Sequence, residues 1–229
     1  MSDNINLMVA TPSGQGQVEV GYMHSCLGLQ KSFLKKQWKI SFSFIAGAIL
    51  HRQRNELVFR FLNNSEYTHI LFVDSDIQFD PEAVTRMLSL NKEVVGGVCP
   101  YKKYTHGRLS YNIVEKDNAS VTHHHEARAL EVKRIGTGFL LIKREVFDQI
   151  KPHAAEVVYN SSSEERGNKS INRISTSSFF DFPIDEHGVE QGEDFSFCEK
   201  LNKAGIKIWA LDPHNERFVH WGLHGYGLQ

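Results

Sequence analysis

The run THILFVDSDIQFDP, from Thr68 to Pro81, ends an apolar strand in two carboxylates, Asp74 and Asp76, one residue apart. On an extended chain, residues i and i+2 face the same side, so the pair repels unless something positive lies between or in front of it. A divalent metal, an arginine or a set of backbone N–H groups would serve. Hard oxygen ligands suit Mg²⁺ or Mn²⁺, which keep waters and bridge to substrate phosphates. In open α/β sheets, ligands gather outside the carboxyl ends of strands, and Asp-Ser-Asp occupies such an end.

Other residues of the same character recur along the chain. QRNEL puts Arg54 and Asn55 in a helix turn just before this strand. GTGFLLIK sets a tight glycine turn, Gly136 to Gly138, against an apolar strand. GEDFSF places Glu193 and Asp194 at a helix N-terminus, where the dipole favours anions and tends to keep a carboxylate ionised. ERFVHWG offers His220 at a strand end, with His224 close behind as a rival ligand. Taken singly, each has an ordinary explanation: a surface arginine, helix-capping carboxylates, a core histidine. Lys102 and Lys103 add positive charge, although two lysines after a strand are ordinarily solvated. HHHE, from His123 to Glu126, has the composition of a metal site but reads as a polar loop. Phe179, Phe180 and Phe182 suit sugar stacking or core packing equally well.

The elements that must position these residues follow from pattern. NLMVAT, Asn6 to Thr11, reads as a short buried strand that stops at Pro12, followed by the glycine-bearing loop PSGQGQ. A helix is expected from Val20 to Lys36, a strand over WKISFSFI, and a second helix whose apolar stripe ends at Asn63-Asn64. Asp80, Pro81 and Glu82 make a helix start. EVVGGVCP is another strand, so the first half alternates strand and helix and implies a parallel-rich sheet. In the second half, Asn160 to Ser178 is polar and serine-rich and reads as a long loop of the lid type. GEDFSFCEKLNKAG is a helix stopped by Gly205, and IKIWALDP and ERFVHWG read as a strand pair.

Bulk properties exclude several classes. The 229 residues, 41% apolar and 23% charged, suit one large soluble domain. A formal net charge of −1 gives no general attraction to nucleic acid or an anionic membrane. The 3 widely spaced cysteines fit neither a disulfide framework nor a zinc cluster and suit a reducing compartment. No signal peptide is visible, and no apolar run approaches the roughly 20 residues of a membrane span. A cytoplasmic protein is expected.

Taken together, the order strand–Thr-Pro, Arg-Asn helix, strand ending in D-S-D, VVGGVCPYKK, G-T-G-F, G-E-D, KIWALDP and VHWG resembles glycosyltransferases of the GT-A fold. The small family-two-like enzymes of bacteria and viruses are the nearest type. The resemblance runs from Asn6 to Gly222. It implies a single α/β, Rossmann-like GT-A domain over 1–229, with a mostly parallel central sheet flanked by helices. Nucleotide would bind in about 1–100 and acceptor in about 101–229. It implies Mn²⁺ or Mg²⁺, a nucleotide-sugar donor (UDP-sugar before GDP-sugar) and a glycan or other hydroxyl acceptor. Thr11 and Pro12 would hold base and ribose, and Arg54 would lie near the nucleotide. Asp74, with Ser75 beside it, would face the ribose or a metal-bound water. Asp76 and His220 would ligate the metal, and Gly138 would let backbone approach the sugar. Asp194 would be the general base of an inverting reaction, with Glu193 beside it at the acceptor. Three alternatives stay open: a retaining transferase, in which Asp194 binds acceptor; a sugar-phosphate nucleotidyltransferase, disfavoured because TPSGQGQ lacks basic residues; and a non-catalytic carbohydrate-binding protein.

Overall fold

A computed structural model of the chain describes residues 4–124, 127–165, 168–212 and 216–227. In order, the elements are β1 (Asn6–Ser13), α1 (Val20–Lys35), β2 (Lys39–Ala46), α2 (Leu50–Leu62), β3 (His69–Val73), β4 (Ile77–Gln78), α3 (Pro81–Ser89) and β5 (Val94–Gly96). There follow β6 (Pro100–Thr105), β7 (Arg108–Tyr111), β8 (Ile113–Glu115), β9 (Val121–His124), β10 (Ala127–Ile135), β11 (Phe139–Lys143), α4 (Glu145–Ile150), β12 (Ala155–Glu165) and β13 (Asn168–Ser178). The last are α5 (Glu193–Lys203), β14 (Ile208–Leu211), β15 (Val219–Trp221) and β16 (Gly225–Gly227).

A 9-stranded sheet in the order β2-β1-β3-β11-β5-β14-β10-β8, with β9 also on β10, forms the centre. Its strands β2, β1, β3, β5 and β14 run one way, so it is mostly parallel as expected; β11 and β10 run against them. One face of the sheet packs on Tyr22, Leu29 and Phe33 of α1 and on Ala83, Val84 and Met87 of α3. The other packs on Leu57, Val58 and Phe61 of α2, Phe147 of α4 and Phe197 and Leu201 of α5. Burial on both faces is why β3 and β11 read as continuous apolar runs rather than alternating ones. This Rossmann-like α/β architecture is the one read from the sequence. Among the described residues no helix is long and apolar enough to cross a membrane.

The helix signals hold in detail. The Asp80 side chain accepts the Glu82 N–H at 3.1 Å and Pro81 opens α3. Gly205, at φ +75°, follows the end of α5 in the left-handed conformation that favours glycine.

Four expectations are corrected. The first strand does not stop at Pro12 but runs to Ser13, with Pro12 opposite Ile45 of β2. Beyond Ala10, β1 has a partner on β2 only, so a missing N–H is tolerated there. Asn160 to Ser178 is not a structureless loop: β12 and β13 pair antiparallel from Ala155↔Ser178 to Glu165↔Asn168, with residues 166 and 167 outside the described residues. Polar side chains do not prevent a ladder whose bonds are made by backbone. His123 and His124 belong to β9, paired to β10, rather than to a loop, while residues 125 and 126 lie outside the described ones. Finally, β14 and β15 do not pair: β14 lies in the central sheet between β5 and β10, while β15 pairs with β4 and β16.

Candidate active site

The pairing of β15 with β4, Val219↔Gln78 and His220↔Ile77, brings the end of the chain beside the D-S-D segment. Trp221 N–H donates to the Asp76 carbonyl at 2.8 Å and locks this junction. The D-S-D segment is a turn rather than an extension of β3, closed by Ile77 N–H to the Asp74 carbonyl at 3.0 Å. Each carboxylate meets its own cation, Arg54 for Asp74 and Lys102 for Asp76, so the positive partner that the sequence called for is a side chain at each.

Asp74 meets Arg54. The Arg54 guanidinium, whose side chain is 4% exposed, donates from one nitrogen to Asp74 Oδ1 at 3.2 Å and from the other to Glu193 Oε1 at 2.7 Å. Its Nε is buried with no hydrogen-bond partner. One side chain on α2 thus ties the end of β3 to the start of α5. Asn55, the next residue, strengthens the tie. Its amide brackets the Phe180 backbone, donating to the carbonyl at 2.8 Å and accepting the N–H at 3.0 Å. Phe179 and Phe180 are buried core, whereas Phe182 is exposed and meets the His51 ring edge-on, with centroids 5.1 Å apart.

Asp76 meets His220 and Lys102. His220 Nε2 lies 3.3 Å from Asp76 Oδ1, and Lys102 Nζ lies 2.5 Å from Oδ2. His220 Nδ1 donates to the Pro100 carbonyl at 2.9 Å, which orients the ring so that Nε2 faces the carboxylate. Burial pushes the Asp76 carboxyl upward, but the hydrogen bonds from His220 and Lys102 outweigh it and hold the group below the usual carboxylate range. His224, the rival ligand, instead packs its ring on Tyr226 with centroids 4.1 Å apart.

Asp194 lies in the first turn of α5, with Gly192 as N-cap; a Cβ on Gly192 would come within 3.1 Å of Asp194 Oδ1. That oxygen accepts the Phe195 N–H at 2.7 Å. Its carboxyl is nevertheless shifted upward, first by burial and then by the like charge of Glu193, against the pull of Arg54 and of backbone N–H groups. The helix N-terminus alone predicts a shift in the opposite direction, so burial overrides the dipole here.

The other residues expected at the site have the following surroundings. Thr11 and Pro12 are buried, and the Thr11 hydroxyl is bonded to Tyr22 Oη at 2.5 Å, so they shape the end of β1 rather than face open space. Gly138 makes room for a carboxylate: a Cβ there would lie 3.1 Å from Asp74 Oδ2, and its carbonyl accepts the Asp74 N–H at 2.9 Å. Ser75 contributes its carbonyl to the Glu19 N–H at 2.9 Å. Two residues of β6 join the cluster: Lys102, expected from the sequence only as added positive charge, and Tyr101, which sequence reasoning did not single out. Burial, and then the charge of Asp194, push the Tyr101 hydroxyl upward, and Lys102 reaches Asp76. Their signal was position, since β6 follows directly from the carboxyl end of β5.

Among the described residues, no group of three or more His, Cys, Asp or Glu side chains is arranged to hold a metal ion. Asp76 with His220 still suits one. Mg²⁺ and Mn²⁺ are held by one or two protein ligands with waters and substrate phosphates, and an oriented imidazole nitrogen beside a carboxylate is such a set.

The sequence matches no protein-family model and no curated protein. Among solved structures it is similar to the A197 protein from STIV, with a TM-score of 0.52 and 19% identity over 95% of this chain and 86% of that one. The two share a fold. Weaker likenesses are to S. aureus TarS 1–349 in complex with UDP-GlcNAc (TM-score 0.43, 13% identity, 90% of this chain and 56% of that one). Another is to a glycosyltransferase involved in glycosylation of the major capsid of PBCV-1 (TM-score 0.36, 10% identity, 62% of each chain).

Proposed function

We propose that the protein is a glycosyltransferase that moves a sugar from a nucleotide-diphosphate sugar, a UDP-sugar before a GDP-sugar, to the hydroxyl of a glycan or other acceptor, with inversion. One observation carries this reading. Arg54 joins the D-S-D turn to the Glu193-Asp194 helix start, which supports reading the two carboxylate motifs as one site. In this reading residues of about 1–100 hold the nucleotide and later ones the acceptor, all within a single domain.

A divalent cation, when bound, would neutralise the departing diphosphate, with Asp76 and His220 holding it. This chain's residues do the rest. Asp74, oriented by Arg54 and by the space at Gly138, faces the ribose. Asp194 takes the proton of the acceptor hydroxyl as its oxygen bonds the anomeric carbon and the bond to the diphosphate breaks. Its upward-shifted carboxyl suits a base, because basicity and readiness to accept a proton rise together. The inverting reading rests on Asp194 acting as that base.

Thermal melting in the presence of UDP, GDP and their sugars, with and without Mn²⁺, tests the reading, since ligand bound to the native state stabilises it. At least one nucleotide is expected to raise Tm only when Mn²⁺ is present. Asp76→Asn is expected to remove that Mn²⁺-dependent rise while leaving the ligand-free Tm nearly unchanged, because its pairs are partly exposed and worth little. An unchanged Mn²⁺ effect in Asp76→Asn would displace the metal from this residue.

A further inference from the structure

Lys102 has no part in the mechanism above, yet it makes the shortest ion pair to Asp76. An exposed lysine pairing with a surface carboxylate ordinarily means little. Two features set this one apart. Asp76 already has a partner on its other oxygen, so Lys102 completes its charge balance rather than finding it by chance. The lysine stem is also given a path: a Cβ on Gly222 would come within 3.2 Å of Lys102 Cδ, so the stem crosses the C-terminal segment where no side chain stands.

We propose that Lys102 is a built-in counter-cation. It holds Asp76 when no divalent metal is present, gives way when metal binds, and then donates to the diphosphate oxygens of the donor. The inference rests on the reading of Asp76 and His220 as metal ligands. Its physical basis is competition. An ammonium at 2.5 Å from Asp76 Oδ2 occupies the charge that a dication needs, and two cations on one carboxylate repel. Once displaced, the ammonium lies within a side chain's swing of the anion that the metal brings in. A phosphate accepts strong charge-assisted hydrogen bonds.

The consequence is a pair of opposite effects in one variant. Lys102→Met should bind Mn²⁺ alone more tightly, by about two- to fivefold, the size of a lost exposed ion pair. The same variant should bind UDP in saturating Mn²⁺ more weakly, by about ten- to a hundredfold, the size of a lost hydrogen bond to a charged group. Lys102→Arg keeps the charge and should stay near wild type in both. Free Mn²⁺ is read by electron paramagnetic resonance and UDP binding by calorimetry, with melting curves to confirm that each variant is folded. If wild type binds Mn²⁺ and Lys102→Met binds it equally or more weakly, or binds UDP unchanged, the counter-cation role is overturned and the metal reading stands. If wild type binds no Mn²⁺, the metal reading falls and takes this inference with it.

Discussion

Asp194→Asn is expected to lower the transfer rate by about 10²–10⁴-fold while donor affinity changes little, because asparagine fills the same space but cannot accept the acceptor's proton. Steady-state rates and equilibrium donor binding in the same variant measure both. The pH profile follows from the upward shift of this carboxyl. As base it must be deprotonated, so kcat/KM should fall as pH drops through a pKa above the ordinary carboxylate range, and this acid limb should vanish in Asp194→Asn. Stability should move the other way. A carboxyl whose folded pKa lies above its unfolded value weakens the fold as pH rises through that window. The asparagine variant, free of that penalty, should melt higher than wild type at neutral pH. Near-normal turnover, or a product retaining the donor's anomeric configuration, would make Asp194 an acceptor contact.

Arg54→Met is expected to be the most destabilising substitution in the site. It leaves Asp74 and Glu193 facing each other without their shared cation, and Glu193 is only 13% exposed. Breaking a buried pair in this way costs about 3–5 kcal/mol. The partial exposure of Asp74 places the value near the lower end, a fall in Tm of about 6–12 °C for a chain of this size. Two further variants separate charge from geometry. Glu193→Gln placed on Arg54→Met should recover part of the loss, because one stranded charge is removed. Arg54→Lys should keep much of the stability but not the transfer rate, since one ammonium cannot span two carboxylates that the guanidinium bridges with two nitrogens. Equal melting of Arg54→Met and wild type would show that the tie between β3 and α5 lies elsewhere.

Much of this was legible in the sequence because the signals were local. Caps at Asp80-Pro81 and Gly205, and apolar runs buried on both faces of a sheet, gave α3, α5, β3 and β11 their places. The residue types at the site were legible for the same reason. What was not legible depends on contacts distant in the chain. Nothing near His220 says that it pairs with Ile77, and that pairing decides that His220 rather than His224 stands at Asp76. The turn at Asp74–Ile77 was missed because the D-x-D spacing fits an extended chain, although Asp and Ser also favour turns. Lys102 looked like a solvated residue after a strand until β6 brought it to Asp76. The β12–β13 ladder was missed because its polar residues carry no apolar alternation, while its backbone pairs regardless.

The most direct test of the central claim is which bond the protein breaks in a nucleotide sugar. Incubated with Mn²⁺, a panel of UDP- and GDP-sugars and a mixture of simple glycan acceptors, the wild-type protein is expected to release a nucleoside diphosphate from one donor. Asp194→Asn should release far less. Chromatographic detection of UDP or GDP identifies cleavage at the anomeric carbon. A nucleoside monophosphate together with a sugar 1-phosphate, or full recovery of every donor, would contradict a glycosyltransferase.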